Sequence, residues 1–364
     1  MSGPQKPVDQ LPGLVSAPTN VTTKVRTMKA LSPRRSAEFI VQNAMDVTVD
    51  PVGICNVADH VQDCFSQGTV SKDSWRKHPL HPKALDNSTA QWIFLVDALN
   101  FCFWSQNCQE KCEIEFDGKR HTGYWSLCAA VNRAIQEGIP LLDAQFCRDI
   151  SHEQVEHIFR SCTPVPFPLL EERHRILREC GQVLCTSYGG EFANCILRSN
   201  RSCQRLLDEL VTNVPSFRDE GIFNGVPVSF YKRAQILVAD IWACFGGQGL
   251  GEFEDIGTLT AFADYRVPQV LAHFGALRYS ERLSSLLQSG VLLQNGDKEE
   301  MEIRGATIHA CELVCEELKR RSQGDAALGE INSILVDFCL WDYRRKRAAD
   351  LDHVPFHRVR SCYY

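Results

Sequence analysis

The chain has 364 residues, a formal net charge of −6 and a pI near 6.0, and 44% of its residues are hydrophobic. This length and apolar share suffice for one large globular domain or two fused ones, and they exclude disorder of the whole chain. The acidic balance disfavours a surface built to neutralise a long phosphate backbone, so a small phosphorylated ligand fits better than a nucleic-acid duplex.

The N-terminal segment 1–32 contains several prolines, threonines and valines, and its only acid is Asp9. This composition predicts a disordered tail, with an organelle-targeting segment as the alternative. No apolar run along the chain approaches the length of a membrane span. We therefore expect a soluble cytoplasmic protein without a membrane partner, with the nucleus and the mitochondrion as alternative compartments.

The 17 cysteines are scattered along the chain without a repeated CxxC pair, and their number is odd. A secreted disulfide framework is therefore disfavoured. Two pairs have i, i+4 spacing, Cys108 with Cys112 and Cys311 with Cys315, but neither has the second matching pair that a structural zinc site needs. We interpret the cysteines as small core residues in a reducing compartment and expect no metal.

Most apolar residues after residue 33 recur with helical spacing, and no repeat of fixed period is visible. We therefore predict a mainly α fold, organised as a helical bundle. Residues 89–104 are apolar almost all round, which is typical of a helix buried on most sides. Further helices are predicted over 125–137, 170–186 and 202–212.

Two short segments depart from this helical spacing. One alternates around Asp117-Gly118, and the other, residues 222–230, contains Asn224-Gly225. Both pairs favour the tight turns of β-hairpins, so we predict a small β element at each.

We expect residues 33–364 to form a single large helical domain. Pro164, Pro166 and Pro168 disfavour helix just before the acidic helix start at residues 171–172, so segment 163–169 is the candidate sub-domain boundary.

Two residues with chemical potential precede or open helices in the sequence. His78 lies in a proline-containing loop, where a surface residue is the ordinary interpretation. Ser229 is predicted to cap a helix that continues to residue 242, which puts Lys232 in its first turn. A cation is unfavourable there against the helix dipole, which indicates a nearby carboxylate or phosphate. An exposed lysine is the alternative.

Asp264 is predicted to cap a later helix, because Pro268 fits inside that helix's first turn. A carboxylate at a helix N-terminus is oriented, partly exposed and kept ionised by the dipole. Such an anion suits the stabilisation of an emerging sugar cation. A purely structural cap is the alternative.

The last strong helix contains two acids among apolar residues, Asp337 and Asp342. Phe338 and Asp342 are four residues apart and share a face, and Asp337 lies beside them. Acids in such surroundings are costly to bury unless something satisfies them. Paired caps or salt bridges to Arg344 and Arg345 are the structural alternative.

Several long strings together resemble one known family, the queuosine salvage proteins. The resemblance covers roughly residues 32–364 and is more specific than any short motif. The matching strings are WSLCAAVNRAIQEGIP (125–140), EERHRIL (171–177), SFYKRAQILVAD (229–240), FADYRVPQVLAH (262–273), LWDY (340–343) and the terminal PFHRVRSCYY.

The resemblance implies a fold related to the helix-hairpin-helix DNA glycosylases. It also implies an enzyme that hydrolyses queuosine 5′-monophosphate, a small nucleotide, to queuine and ribose 5-phosphate, so that the base can be salvaged for tRNA modification. It implies neither a metal nor an organic cofactor.

The resemblance further implies roles for residues of this chain. Asp264 is the implied catalytic carboxylate, and Lys232 is its partner, which we expect to lower the pKa of Asp264 by charge pairing. The residues implied to line the base pocket are His78, Phe262, Asp337, Phe338 and Asp342. Candidate phosphate contacts are Tyr231, Arg233 and Arg266.

Two alternative functions remain open from the sequence. A DNA-repair glycosylase would also extrude a base into a pocket, although only the glycines of segment 246–249 resemble its DNA-binding hairpin. A non-catalytic nucleobase-binding protein would share the pocket, and only Asp264 and Lys232 distinguish an enzyme from it.

Overall fold

A computed structural model of the protein describes residues 29–105, 111–322 and 331–364, together with Met1 and Gly3. Helices dominate these residues, so the predicted mainly α class is confirmed. The helices are α1 (Pro33–Asn43), α2 (Pro51–Ser66), α3 (Ser74–Lys77), α4 (Asn87–Ala98), α5 (Tyr124–Gln136), α6 (Ala144–Asp149), α7 (His152–Ile158), α8 (Leu170–Ser187), α9 (Phe192–Arg198), α10 (Cys203–Asn213), α11 (Lys232–Cys244), α12 (Val267–His273), α13 (Glu281–Gln288), α14 (Lys298–Arg321), α15 (Ser333–Lys346) and α16 (Ala348–Leu351).

The strands of the described residues form four two-stranded sheets. They are β1 (Val47–Val49), β2 (Ile114–Phe116), β3 (Lys119–His121), β4 (Glu220–Phe223), β5 (Val226–Ser229), β6 (Leu277–Tyr279), β7 (Leu292–Leu293) and β8 (Arg358–Val359). The pairs β2–β3 and β4–β5 are the two predicted hairpins. The antiparallel pair β1–β6 and the parallel pair β7–β8 join segments far apart in sequence, so no local pattern predicts them.

Both hairpin turns have the backbone that their residue pairs favour. Asp117 and Gly118 have φ values of 51° and 68°, and Asn224 and Gly225 have φ values of 47° and 82°. Two consecutive residues with positive φ match the twist of the flanking strands, and Asn, Asp and Gly adopt this conformation at the least cost.

The helices predicted over 125–137, 170–186 and 202–212 are confirmed as α5, α8 and α10 within about two residues at each end. The helix predicted over 89–104 is buried all round but ends at Ala98.

The early end of α4 has a physical cause in buried cations from later helices. Arg173 donates to the carbonyl oxygen of Phe101 at 2.6 Å, and the Nζ of Lys232 donates to that of Asn100 at 3.0 Å. These bonds replace helical N–H donors, and cations are favourable near the C-terminus of a helix.

The predicted cap of α11 is wrong, because Ser229 is the last residue of β5 and its hydroxyl donates to the carbonyl of Leu31 at 2.6 Å. Helix α11 begins at Lys232, after Tyr231 in a left-handed conformation with φ of 49°. The N–H of Lys232, the first of this helix, instead donates to Asp219 Oδ2 at 3.1 Å. Asp219 is distant in sequence from a helix start, so spacing did not reveal it.

The helices bury three apolar cores, and α4, α8 and α11 contribute to the largest one. Most of the described cysteines are buried in these cores, in agreement with a packing role, whereas Cys108 lies outside the described residues. No helix among the described residues is long and apolar enough to cross a membrane. Most of the predicted N-terminal tail, 1–32, lies outside the described residues.

Candidate active site

A cavity of about 980 Å³ lies between α11, α15 and the chain that precedes α12. A volume of this size is typical of sites for cofactors and nucleotides. All seven residues that the resemblance implies for catalysis and base binding line this cavity, although they come from four separate segments of the chain. They are His78, Lys232, Phe262, Asp264, Asp337, Phe338 and Asp342.

Lys232 is fixed at the floor of the cavity by both of its nitrogens. It is only 6% exposed, its Nζ donates to Asn100, and its N–H donates to Asp219. Burial lowers the pKa of Lys232, while the nearby acids Asp264 and Asp97 oppose this effect. The side chain is therefore held in place by the backbone and not by a single ion pair.

Arg304 of α14 connects the two candidate catalytic residues from behind. Its guanidinium is buried and donates to Asp219 Oδ1 at 2.9 Å, the carboxylate that also bonds the start of α11. Its Nε donates to the carbonyl of Ala263 at 3.0 Å, immediately before Asp264. One buried cation thus sets the positions of both Lys232 and Asp264.

Asp264 caps α12, as the sequence predicted, although the backbone N-cap position belongs to Arg266. Its Oδ1 accepts hydrogen bonds from the N–H groups of Arg266 and Val267, both at 2.8 Å. Among the described residues its Oδ2 has no hydrogen-bond partner, and Asp264 lines the cavity. One oxygen therefore orients the carboxylate, and the other is available to a ligand.

The expected direct pairing of Lys232 with Asp264 is not found, because these side chains form no ion pair among the described residues. Lys232 still favours the ionised form of Asp264 through its charge, but burial outweighs it and raises the pKa of Asp264. The predicted effect of Lys232 on this pKa is therefore present, but the net shift is upward. Asp264 is 9% exposed, so the removal of water from around the carboxylate is the larger effect.

Asp337 is also buried, and its Oδ2 accepts the N–H of Phe262 at 2.9 Å. It has no ion pair with Arg344 or Arg345 among the described residues, so the predicted alternative of salt bridges is not found for Asp337. Burial, followed by the charge of Asp264, raises the pKa of Asp337 well above its ordinary value. Both causes favour the protonated form of Asp337.

Two further buried acids, one of them in the cavity wall, were not predicted from the sequence. Asp97 of α4 is fully buried and accepts from the Asn100 side chain at 3.2 Å, and Asp240 of α11 lines the cavity. Burial raises the pKa of Asp97 to about 7 and that of Asp240 well above its ordinary value. The signal was present in the sequence, because both acids interrupt otherwise apolar helices and therefore need nearby partners.

Aromatic rings form much of the remaining cavity wall. The rings of Phe262 and Phe338 are 6.2 Å apart and tilted by 54°. A planar base between two parallel rings needs about 7 Å between them, so a ligand stacks on one ring unless the other turns.

His78 stacks on Trp125, with ring centroids 3.4 Å apart and planes 8° from parallel. Its Nδ1 accepts the N–H of Leu80 at 3.2 Å, and burial lowers its pKa to about 4. A neutral, oriented imidazole at the cavity wall therefore replaces the surface histidine that the sequence alone favoured.

Asp342 lies at the cavity mouth, where its side chain is 43% exposed and pairs with Lys346 at 3.5 Å. Cations exceed acids in the lining, in contrast to the net charge of −6 of the whole chain. The lining cations are Lys77, Lys111, Lys232, Arg266, Arg344, Arg345, Lys346 and Arg358.

Of the three candidate phosphate contacts, only Arg266 lines the cavity. The Tyr231 hydroxyl donates to Glu220, and the Arg233 guanidinium is fully buried against the carbonyl groups of Ala98 and Ser216. Both side chains are thus used within the fold. Segment 246–249 follows α11 and does not contribute to the cavity wall.

A helical protein with a nucleotide-sized cavity, an oriented carboxylate and a cationic mouth has the features of a nucleotide-processing enzyme. The chain matches the family model described as queuosine salvage protein over residues 80–364. It therefore belongs to the queuosine salvage protein family.

Three curated relatives are each named queuosine 5′-phosphate N-glycosylase/hydrolase. That of Mus musculus is 48% identical over 336 residues, and that of Bos taurus is 46% identical over 337 residues, in each case 92% of this chain and 99% of the relative. That of Schizosaccharomyces pombe is 40% identical over 349 residues, 91% of this chain and 99% of the relative. The similarity thus spans nearly the whole length of these proteins.

Proposed function

We propose that this chain hydrolyses the N-glycosidic bond of queuosine 5′-monophosphate and releases queuine and ribose 5-phosphate. The names and the full-length similarity of its relatives support this activity. The observation that carries it is the carboxylate of Asp264, held by the N-terminus of α12 with Oδ2 left for a ligand in the cavity.

The chemistry of the leaving group explains why such a carboxylate is needed. Queuine is a deazaguanine, in which carbon replaces a ring nitrogen that could be protonated in a purine. Help from a general acid at that atom is lost, so more of the barrier must be lowered at the sugar. An ionised Asp264 facing the anomeric carbon stabilises the developing oxocarbenium ion and orients the attacking water.

Lys232 is proposed as a positioning residue for this step. Its charge favours ionised Asp264 although the two side chains form no direct ion pair. Because the Nζ is fixed by the Asn100 carbonyl, the field at Asp264 is already oriented before the substrate binds.

The base is proposed to bind at the wall formed by α15. Its guanine-like edge carries adjacent N–H donors, for which the carboxylates of Asp337 and Asp342 are acceptors. Phe262, Phe338 and His78 provide the flat surfaces of this part of the cavity. Hydrogen bonds from these donors would favour the ionised form of Asp337 and so oppose the upward shift of its pKa.

The 5′-phosphate is proposed to bind Arg266 together with Arg344. The side chains of both arginines donate to Gln269 Oε1, at 2.9 and 3.0 Å, which holds two like charges side by side at the cavity. Arg266 has no carboxylate within ion-pair distance among the described residues. A phosphate would supply the missing negative charge.

The direct test is release of free queuine from queuosine 5′-monophosphate by the purified protein, followed by chromatography of base and sugar phosphate. Base release by the wild type supports the enzyme, and tight binding without release would instead indicate a nucleobase-binding protein. A duplex-binding assay addresses the DNA glycosylase alternative, for which we expect no stable complex.

The finer features of fold and location are proposals as well. We propose that the arrangement of helices is related to that of helix-hairpin-helix DNA glycosylases, that residues 33–364 form one domain, and that the protein acts in the cytoplasm. An experimental structure and imaging of the tagged full-length chain test these points.

A further inference from the structure

One histidine and two cysteines form a cluster outside the cavity, on the packed faces of α2 and α15. They are His60, Cys64 and Cys339, and we refer to them as the α2–α15 cluster. None of them lines the cavity. The proposed reaction therefore gives no role to this cluster.

The spacing of the cluster matches metal coordination. His60 and Cys64 are four residues apart on one face of α2, and His60 Nε2 lies 3.6 Å from Cys64 Sγ. The ligand atoms of all three side chains lie within 4.8 Å of one another. A tetrahedral ion with metal–nitrogen and metal–sulfur bonds of about 2.0–2.3 Å places neighbouring ligand atoms about 3.6 Å apart.

The surroundings orient the imidazole for such a role. The ring of His60 stacks on Phe274, with centroids 5.4 Å apart and planes 23° from parallel, and meets Tyr343 edge-on at 4.7 Å. A disulfide between Cys64 and Cys339 would not need an imidazole directed at the sulfur. The fixed ring therefore favours a three-ligand site over a simple thiol pair.

The donor set defines the class of ion. Two thiols and one imidazole favour soft, thiophilic cations, whereas Mg²⁺ and Ca²⁺ need oxygen ligands. Cys339 is buried, but His60 and Cys64 are only partly buried, so an ion can reach the cluster from the solvent side. Three protein ligands leave a fourth position for water or a small thiol.

We propose that His60, Cys64 and Cys339 bind one thiophilic cation, with Zn²⁺ as the representative ion. Binding converts the two thiols to thiolates and releases their protons. Because Cys339 directly follows Phe338, the ion would cross-link α2 to the helix that carries part of the cavity wall. Zn²⁺ should therefore raise the melting temperature of the wild-type protein.

The test measures Zn²⁺ affinity of the full-length protein, kept reduced with a phosphine, by competition with a chromogenic chelator. Cys64→Ser removes one ligand, and His60→Phe removes another while keeping a ring against Phe274 and Tyr343. Cys55→Ser is the matched control, because Cys55 is an exposed cysteine on the same helix. Cd²⁺ serves as a second probe through its thiolate charge-transfer absorption.

We expect one tight site in the wild type and in Cys55→Ser, with affinity weakened at least about tenfold in Cys64→Ser and His60→Phe. The melting temperatures of the metal-free variants check that they fold. Equal affinity in all four proteins, or no tight site in the wild type, would overturn the proposal. Peptide mapping after peroxide treatment tests for a Cys64–Cys339 disulfide. If the protein forms this disulfide and does not bind Zn²⁺, the proposal is overturned and the cysteines have a redox role instead.

Discussion

Both the floor and the mouth of the cavity contain aspartate and lysine side chains, but those at the floor are buried and those at the mouth are exposed to water. At the floor, Lys232, Asp264 and Asp337 are buried and bonded to backbone groups, and burial shifts their pKa values. At the mouth, Asp342 and Lys346 form a pair whose side chains are 43% and 68% exposed. Interactions between charges are strong where water is excluded and the groups are held in place, and they are weak where water is present. The floor is thus suited to catalysis, and the mouth to capture of the substrate.

The strongest test of this contrast is Asp264→Asn. We expect kcat to fall at least about a hundredfold, equivalent to on the order of 3 kcal/mol or more, because the charge facing the sugar is lost while the shape and a capping oxygen remain. Single-turnover base release measures the effect. Asp86→Asn, which changes an exposed helix cap that does not line the cavity, is the control. Near-wild-type turnover of the Asp264→Asn variant would refute the assignment.

The pH profile sharpens the contrast further. Because burial raises the pKa of Asp264, the acid limb of kcat/KM should lie above the ordinary aspartate range near 4, with activity lost about tenfold per pH unit as the carboxyl protonates. Rates between pH 4 and 8 measure it, with melting temperatures at each pH as the control for unfolding. An acid limb at or below the ordinary value would mean that solvent reaches the floor.

Arg266→Gln tests the proposal that Arg266 binds the 5′-phosphate and not the base. We expect KM for the nucleotide to rise about tenfold to a hundredfold with little change in the affinity for free queuine, since a hydrogen bond to a charged group contributes about 1.5–3 kcal/mol. Arg358 is another cation that lines the cavity, so the Arg358→Gln variant is the control for the loss of one positive charge there. Equal effects on nucleotide and base would place the phosphate elsewhere.

Asp337→Ala and Asp342→Ala compare the floor and the mouth directly. Each should weaken queuine binding by about 1–3 kcal/mol, with the larger effect at buried Asp337. Isothermal titration calorimetry with free queuine measures the affinity of each variant. If neither variant changes the affinity and both fold, these acids have only structural roles.

The same contrast explains what the sequence could predict. Local patterns specified the long helices, both hairpin turns and the cap at Asp264, because each depends on residues within a few positions of one another. The support of Lys232 by Asp219 and Arg304 depends on tertiary contacts, so local spacing predicts Ser229 as the cap instead of Asp219.

The sequence predicts the effect of Lys232 on the pKa of Asp264 but not the net direction of the shift. A charge pair with Lys232 could be proposed from residue types, but the degree of burial that outweighs it depends on the assembled fold. The family resemblance supplied His78 and Phe262, which local spacing alone would have left as surface and core residues.

The smallest expected effect concerns the N-terminus. Deletion of residues 1–25 should leave KM and the melting temperature unchanged, because that segment has a disorder-like composition and precedes every matched string. A longer deletion, 1–32, should lower the melting temperature. It removes Leu31, whose N–H donates to Pro227 at 2.9 Å and whose carbonyl accepts the Ser229 hydroxyl, just before α11 and the floor. Thermal unfolding and steady-state kinetics of both truncated proteins compare the two segments. A raised KM after the shorter deletion would show that the tail contributes to the cavity, and equal stability after both would show that the Leu31 contacts do not support the floor.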